Sequence, residues 1–106
     1  MLVDDYDMIT ILESFKTALN RPDAIGFRLW SGERVFEIFK NKEYFDAASK
    51  LYKEKHILTF ENNIYYTEDI EILEDGVRII NSFFPMGNII RLTVLHIDDL
   101  DKIKEL

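Results

Sequence analysis

The chain is expected to fold as a single α+β domain, and three observations predict it. Apolar residues recur at helical spacing in two stretches, around Met8–Leu19 and Phe45–Tyr52. Between and after them, short runs rich in Val, Ile, Phe and Tyr are punctuated by Ser31-Gly32, Asn62-Asn63 and Asp75-Gly76, turn-type dipeptides at hairpin positions. A length of 106 residues with 47% hydrophobic and 13% aromatic content is enough for one core without staples. The expected order is an N-terminal helix, a hairpin, a middle helix, an antiparallel meander of four to five strands and a short C-terminal helix packed on the sheet. A small, partly closed β-barrel with flanking helices is the alternative.

The first helix is placed at about 5–19. Met8, Leu12, Phe15 and Leu19 share one face, with Ile11 and Ala18 beside them. Asp4, Asp5 and Asp7 supply a cap and negative charge at the positive end of the helix dipole. Asn20 and Pro22 close it. Capping explains the acids better than a metal site does.

The text AIGFRLWSGERVFEIF, residues 24–39, has two readings. Ser31-Gly32 joins two strands, or Ser31 caps one long helix with Val35, Ile38, Phe39, Phe45, Ala48 and Tyr52 near one face. The hairpin is preferred, because Asn41 offers a fresh N-cap and the Val, Phe and Ile content favours strand. Trp30 beside the turn is read as a partly buried core residue before an exposed anchor. Helix then covers 42–55, with Phe45, Ala48 and Tyr52 as its apolar stripe. This is the net-basic part of the chain, with five lysines from Lys40 to Lys55. They read first as a solvated face complementing the dipole, and second as a phosphate-binding face of Lys40, Lys42, Lys50, Lys53 and Lys55.

The meander starts at Ile57. Closing a hairpin at Asn62-Asn63 opposes Phe60 to Tyr65 and Thr59 to Tyr66. Closing one at Asp75-Gly76 opposes Ile72 to Ile79 and Leu73 to Arg78. Val77–Phe84 reads as one strand, 84–88 as a turn, and Ile89–His96 as another strand with Ile90, Leu92 and Val94 on one face. Asp98 is expected to cap a last helix, with Asp101 at its N3 position and Leu100, Ile103 and Leu106 facing inward.

Charge is distributed unevenly. Net charge is −7, and residues 57–76 hold six acids, Glu61, Glu68, Asp69, Glu71, Glu74 and Asp75, with no Lys or Arg. If Asp69 and Glu71 alternate with Ile70 and Ile72 on a strand, their carboxylates share a face about 6.5–7 Å apart. One reading is an ordinary polar sheet face that discourages edge pairing. The sharper one is an acidic surface that receives a basic partner, with Tyr65, Tyr66 and Tyr44 as aromatic anchors.

Several chemistries are excluded or unsupported. No cysteine is present, which removes disulfides, thiolate nucleophiles and Cys-based metal sites. His56 and His96 are forty residues apart without ligand spacing, and glycines at 26, 32, 76 and 87 form no phosphate loop. The acidic runs do not follow calcium-loop spacing. No catalytic residue, metal or cofactor is therefore expected. The N-terminus carries acids where a secretory signal needs Lys or Arg, and no apolar run reaches membrane-span length, so a cytoplasmic protein without membrane association is expected. The acidic balance disfavours direct nucleic-acid binding. The expected function is a non-enzymatic, acidic protein-binding module, an inhibitor, immunity-type or nucleic-acid-mimic protein covering a basic surface. The alternative is a structural or assembly subunit forming a homo-oligomer.

Overall fold

Residues 24–39 form a hairpin, not a helix. Strand β1 spans Ala24–Ser31 and β2 spans Arg34–Phe39, paired antiparallel with Ser31 opposite Arg34. The two-residue loop is Gly32-Glu33, one position later than Ser31-Gly32. Gly32 takes a φ of 61°, the left-handed geometry that such a turn needs and that glycine adopts without a Cβ penalty. The computed structural model describes residues 20–57 and 63–106, together with Glu13, Lys16 and Thr17. The helix expected at 5–19 lies mostly outside the described residues. Glu13, Lys16, Thr17 and Asn20 are helical and exposed, at the spacing of its expected polar face.

Helix α1, Lys42–Glu54, follows two residues after β2 and starts where Asn41 accepts a hydrogen bond from the Tyr44 N–H at 3.1 Å. Its end is a Schellman arrangement. The Ile57 N–H reaches the Tyr52 carbonyl at 2.8 Å and the His56 N–H reaches Lys53 at 3.3 Å, with His56 at φ 55° where glycine is usual. The chain then enters β3, Ile64–Tyr66, which pairs parallel with β2. The expected pairings Phe60–Tyr65 and Thr59–Tyr66 fall outside the described residues. What is described is a β2–α1–β3 crossover, the connection that parallel neighbours require.

The remaining strands are β4 (Ile70–Leu73), β5 (Gly76–Ile79), β6 (Ser82–Pro85) and β7 (Ile89–His96). They do not form one meander. β4, β5 and β6 make a separate three-stranded antiparallel sheet, whereas β7 returns to pair with β1, completing a four-stranded sheet of order β3-β2-β1-β7. Among the described residues the two sheets share no strand and neither closes, so the barrel alternative does not hold. The stretch expected as a single strand, Val77–Phe84, is broken at Ile80-Asn81. There Ile80 adopts φ 55° and the chain doubles back, with Ile79 opposite Ser82.

The hairpin expected to oppose Ile72 to Ile79 is two residues out of register. Ile72 faces Val77, Glu71 faces Arg78 and Leu73 faces Gly76, so the loop is Glu74-Asp75. A two-residue shift keeps each side chain on its expected face. Gly76 belongs to the strand, opposite Leu73 and Pro85, and the position takes glycine because a Cβ there would meet the Phe84 carbonyl oxygen and lie 2.6 Å from the Phe83 ring. The shifted register also seats Arg78 Nη1 2.6 Å from Glu71 Oε2.

The four-stranded sheet is the middle layer. On one face Phe27, Leu29, Phe36 and Ile38 pack against Ile70, Val77, Ile79, Met86 and Ile89. On the other, Ile25, Phe39 and Leu95 pack with Ala48 of α1 and Leu100 of the last helix. Both faces are covered, which is why β1 and β2 are buried almost continuously instead of alternately. β7 departs from the expected face at its start. A register shift between Trp30 and Ser31 leaves Ile90 42% exposed, while Ile89 is buried.

Helix α2, Ile97–Lys104, begins one residue before the expected Asp98 cap. Its N-cap is His96, whose N–H donates to Asp99 Oδ2 at 2.7 Å, so Asp99 takes the N3 role assigned to Asp101. The cause is continuity: β7 runs directly into the helix, and the Ile97 N–H is taken by the Asp23 carbonyl at 3.0 Å. Leu100 is buried and Ile103 packs beside it, but Leu106 is 74% exposed. No described helix is long and apolar enough to cross a membrane.

Candidate functional site

The acidic run is divided among three places. Glu68 and Asp69 sit in a single 3-10 turn, Thr67–Asp69, that links β3 to β4. Asp69 is therefore not on the strand with Glu71, and the expected alternation with Ile70 and Ile72 begins one residue later. The turn ends where the Ile80 N–H bonds to the Asp69 carbonyl at 3.0 Å, joining the acidic turn to the β5–β6 loop. Glu68, Asp69 and Glu71 then line one shallow groove of about 260 Å³ with Ile70, Arg78 and Ile80. Glu74 and Asp75 occupy the β4–β5 turn, exposed, at the far end of the same hairpin. Glu61 lies outside the described residues.

Two of the three expected tyrosine anchors, Tyr65 and Tyr66, part company because successive side chains on β3 point to opposite faces. Tyr65 joins the first core cluster, its ring centroid 5.7 Å from that of Phe36, and is a packing residue. Tyr66 lies on Phe45 at 5.2 Å, and its hydroxyl donates to Glu68 Oε2 at 3.3 Å. Partial desolvation, together with the nearby Glu68 and Asp69 carboxylates, raises the Tyr66 pKa above its ordinary value. Tyr44 packs against the second cluster and lies under Lys40.

Sequence proximity alone made the run look uncompensated, and the fold corrects this. Arg78 arrives from β5 to pair with Glu71, and Lys42 lies over the Tyr66 ring at 5.8 Å, near Asp69. Five acids against Arg78 still leave this small sheet and its turns strongly negative.

Residues outside the acidic run complete the site. Ile80 forms one lip of the groove, 56% exposed and held at φ 55°. Phe83, 43% exposed, stands opposite Arg78 on the outward side of the sheet and lies over Gly76. The sequence signal for Ile80 was Asn81 beside it, a turn-type residue inside an apparent strand.

The helix lysines are turned mainly toward the protein itself. Lys42 bonds Asp46 at 3.1 Å and Lys50 lies 4.0 Å from Glu54, one helical turn apart in each case. Lys40 and Lys55 donate to the carbonyls of Arg21 and Leu106 at 3.2 and 2.7 Å.

Two other polar clusters exist. Glu37 on β2 is 1% exposed, accepts a hydrogen bond from the Tyr52 hydroxyl at 2.6 Å and lies 3.5 Å from Arg28 Nη2. His96 Nδ1 lies 3.2 Å from Asp23 Oδ2, close to Arg21. Burial pulls Asp23 upward, but the Arg21 hydrogen bond, a backbone N–H and the Arg21 and His96 charges hold it below the usual value. Among the described residues no three His, Cys, Asp or Glu side chains are arranged to hold a metal. Compared with family models, with curated proteins and with solved structures, the chain matches none.

Proposed function

We propose that this protein is a non-enzymatic, cytoplasmic protein-binding module. Its small acidic sheet covers a basic surface on a partner, in the manner of an inhibitor, immunity-type or nucleic-acid-mimic protein. The observation that carries this reading is Ile80. A β-branched residue in left-handed backbone is a rare strain, worth about 1–3 kcal/mol, and such strain tends to persist where a surface is used. Here it holds an exposed isoleucine on the lip of a groove lined by Glu68, Asp69 and Glu71. An apolar anchor beside a charged rim is the anatomy of a protein-docking surface, and Phe83 supplies a second anchor on the same sheet.

The test replaces Glu68, Asp69, Glu71, Glu74 and Asp75 with Lys or Gln and compares the variant with the native chain as bait in a cell lysate, eluted at graded salt. The native chain is expected to retain basic proteins that leave as salt rises, and the variant to lose them. An unchanged retained set with an unchanged salt dependence would sink the reading. A companion variant, Ile80→Asn, separates shape from charge: it leaves the net charge intact and is expected to weaken retention.

A further inference from the structure

We propose that the basic partner of the acidic sheet is a second copy of this chain, which offers its Arg28–Trp30–Arg91 face in a head-to-tail contact. This inference rests on the acidic-sheet reading and names the surface it receives.

The strand register places Trp30 beside Arg91 and Arg28 beside Thr93. The Arg91 guanidinium carbon lies 4.7 Å from the Trp30 ring centroid, and that of Arg28 lies 5.9 Å away on the same ring. Arg28 is partly balanced by the buried Glu37. Arg91 is exposed and, among the described residues, has no carboxylate within ion-pair distance. A guanidinium stacked on an indole keeps its N–H edge free, and that edge matches a carboxylate.

The position of this face matters as much as its charge. Leu29 and Leu92, which alternate with Trp30 and Arg91, point into the cluster shared with the small sheet. Arg28, Trp30 and Arg91 therefore emerge on the reverse of the four-stranded sheet. Glu71, Arg78 and Phe83 emerge on the outward side of the small sheet, because Ile70, Val77 and Ile79 point inward. Acidic and basic surfaces thus lie on opposite sides of one sandwich. They cannot meet within a molecule, but one copy's acidic side can meet another's arginines.

A phosphate backbone is the weaker match. Binding it takes several unspent cations in a row, and this face has two arginines, one already against Glu37. Of the helix lysines, Lys42 and Lys50 face acids of their own helix, and Lys55 is held on the Leu106 carbonyl. Because the two surfaces differ, the contact is heterologous, and its repetition closes a ring or extends a filament.

The experiment is sedimentation velocity of the full chain over a concentration series at low and high salt. The native chain is expected to associate at low salt and to dissociate as salt rises. Arg91→Glu alone, and Glu68→Lys combined with Glu74→Lys alone, should each weaken association roughly tenfold or more. An equimolar mixture of the two variants should restore it, since each then offers a surface complementary to the other. Thermal melts of both variants check folding, and Arg91→Gln provides a milder change at the same position with an intermediate effect. A native chain that stays monomeric at every concentration and salt overturns the inference, as does association indifferent to Arg91→Glu. A lysine-rich peptide separates the two ideas. If the monomeric native chain binds that peptide and the Glu68→Lys, Glu74→Lys chain does not, the acidic sheet remains a cation-docking surface and only the identity of its partner fails. If neither binds, both readings fail.

Discussion

Glu37 is a carboxylate in the middle layer of the fold, where an uncompensated charge would cost several kcal/mol. Two partners keep it there: the Tyr52 hydroxyl from α1 at 2.6 Å and Arg28 from the neighbouring strand at 3.5 Å. The same bond links helix to sheet. Tyr52→Phe leaves the carboxylate one donor short and is expected to destabilise the protein by about 1.5–3 kcal/mol in denaturant unfolding. Burial, followed by the Glu37 hydrogen bond and charge, raises the Tyr52 pKa far above its ordinary 10.0. The sign follows from proton linkage: the folded state keeps this proton after the unfolded chain has lost it, so stability falls as pH rises above 10.0. Absorbance titration should show one of the five tyrosines resisting ionisation until the chain unfolds. Ionisation of Tyr52 together with the other tyrosines in the folded protein would contradict the arrangement. Ile80 is the other decisive residue. Replacing it with Asn should relieve left-handed strain and stabilise the fold by about 1 kcal/mol while weakening partner retention.

At the scale of elements, local chemistry determines where each piece begins and ends. His56 occupies the left-handed position at the end of α1, so His56→Gly should raise stability by about 0.5–1 kcal/mol, read from the shift in unfolding midpoint. A decrease would show that the His56 side chain contributes more than its backbone costs. Local signals of this kind were legible in the sequence. The Gly32 hairpin, the Asn41 cap and the span of β7 could all be read from neighbouring residues. Pairing partners could not, because alternation reveals a strand's faces but not which strand lies beside it. Hence β3 and β7, which join the four-stranded sheet, looked like parts of one meander. The Ile80-Asn81 turn was hidden by the apolar run around it. The α2 cap was misplaced because three aspartates, Asp98, Asp99 and Asp101, compete in the text, and contact with Asp23 decides between them. For the site, the charge of Glu68, Asp69 and Glu71 was visible, but the arrival of Arg78 and the exposure of Ile80 depend on register.

The whole molecule is a sandwich with unlike outer sides. One side is the acidic small sheet, and the other carries Arg28, Trp30 and Arg91 beside the helices. Five acids against Arg78 give the small sheet and its turns a net negative charge, so binding of a basic surface there should weaken steeply with salt. The most direct measurement is amide hydrogen exchange of the native chain, at a concentration low enough to keep it monomeric, with and without a lysine-rich peptide. With the peptide bound, slowed exchange is expected to concentrate at residues 68–71 and 78–81, including the Ile80 amide that bonds the Asp69 carbonyl. Protection spread evenly over the chain, or confined to the helices, would contradict it.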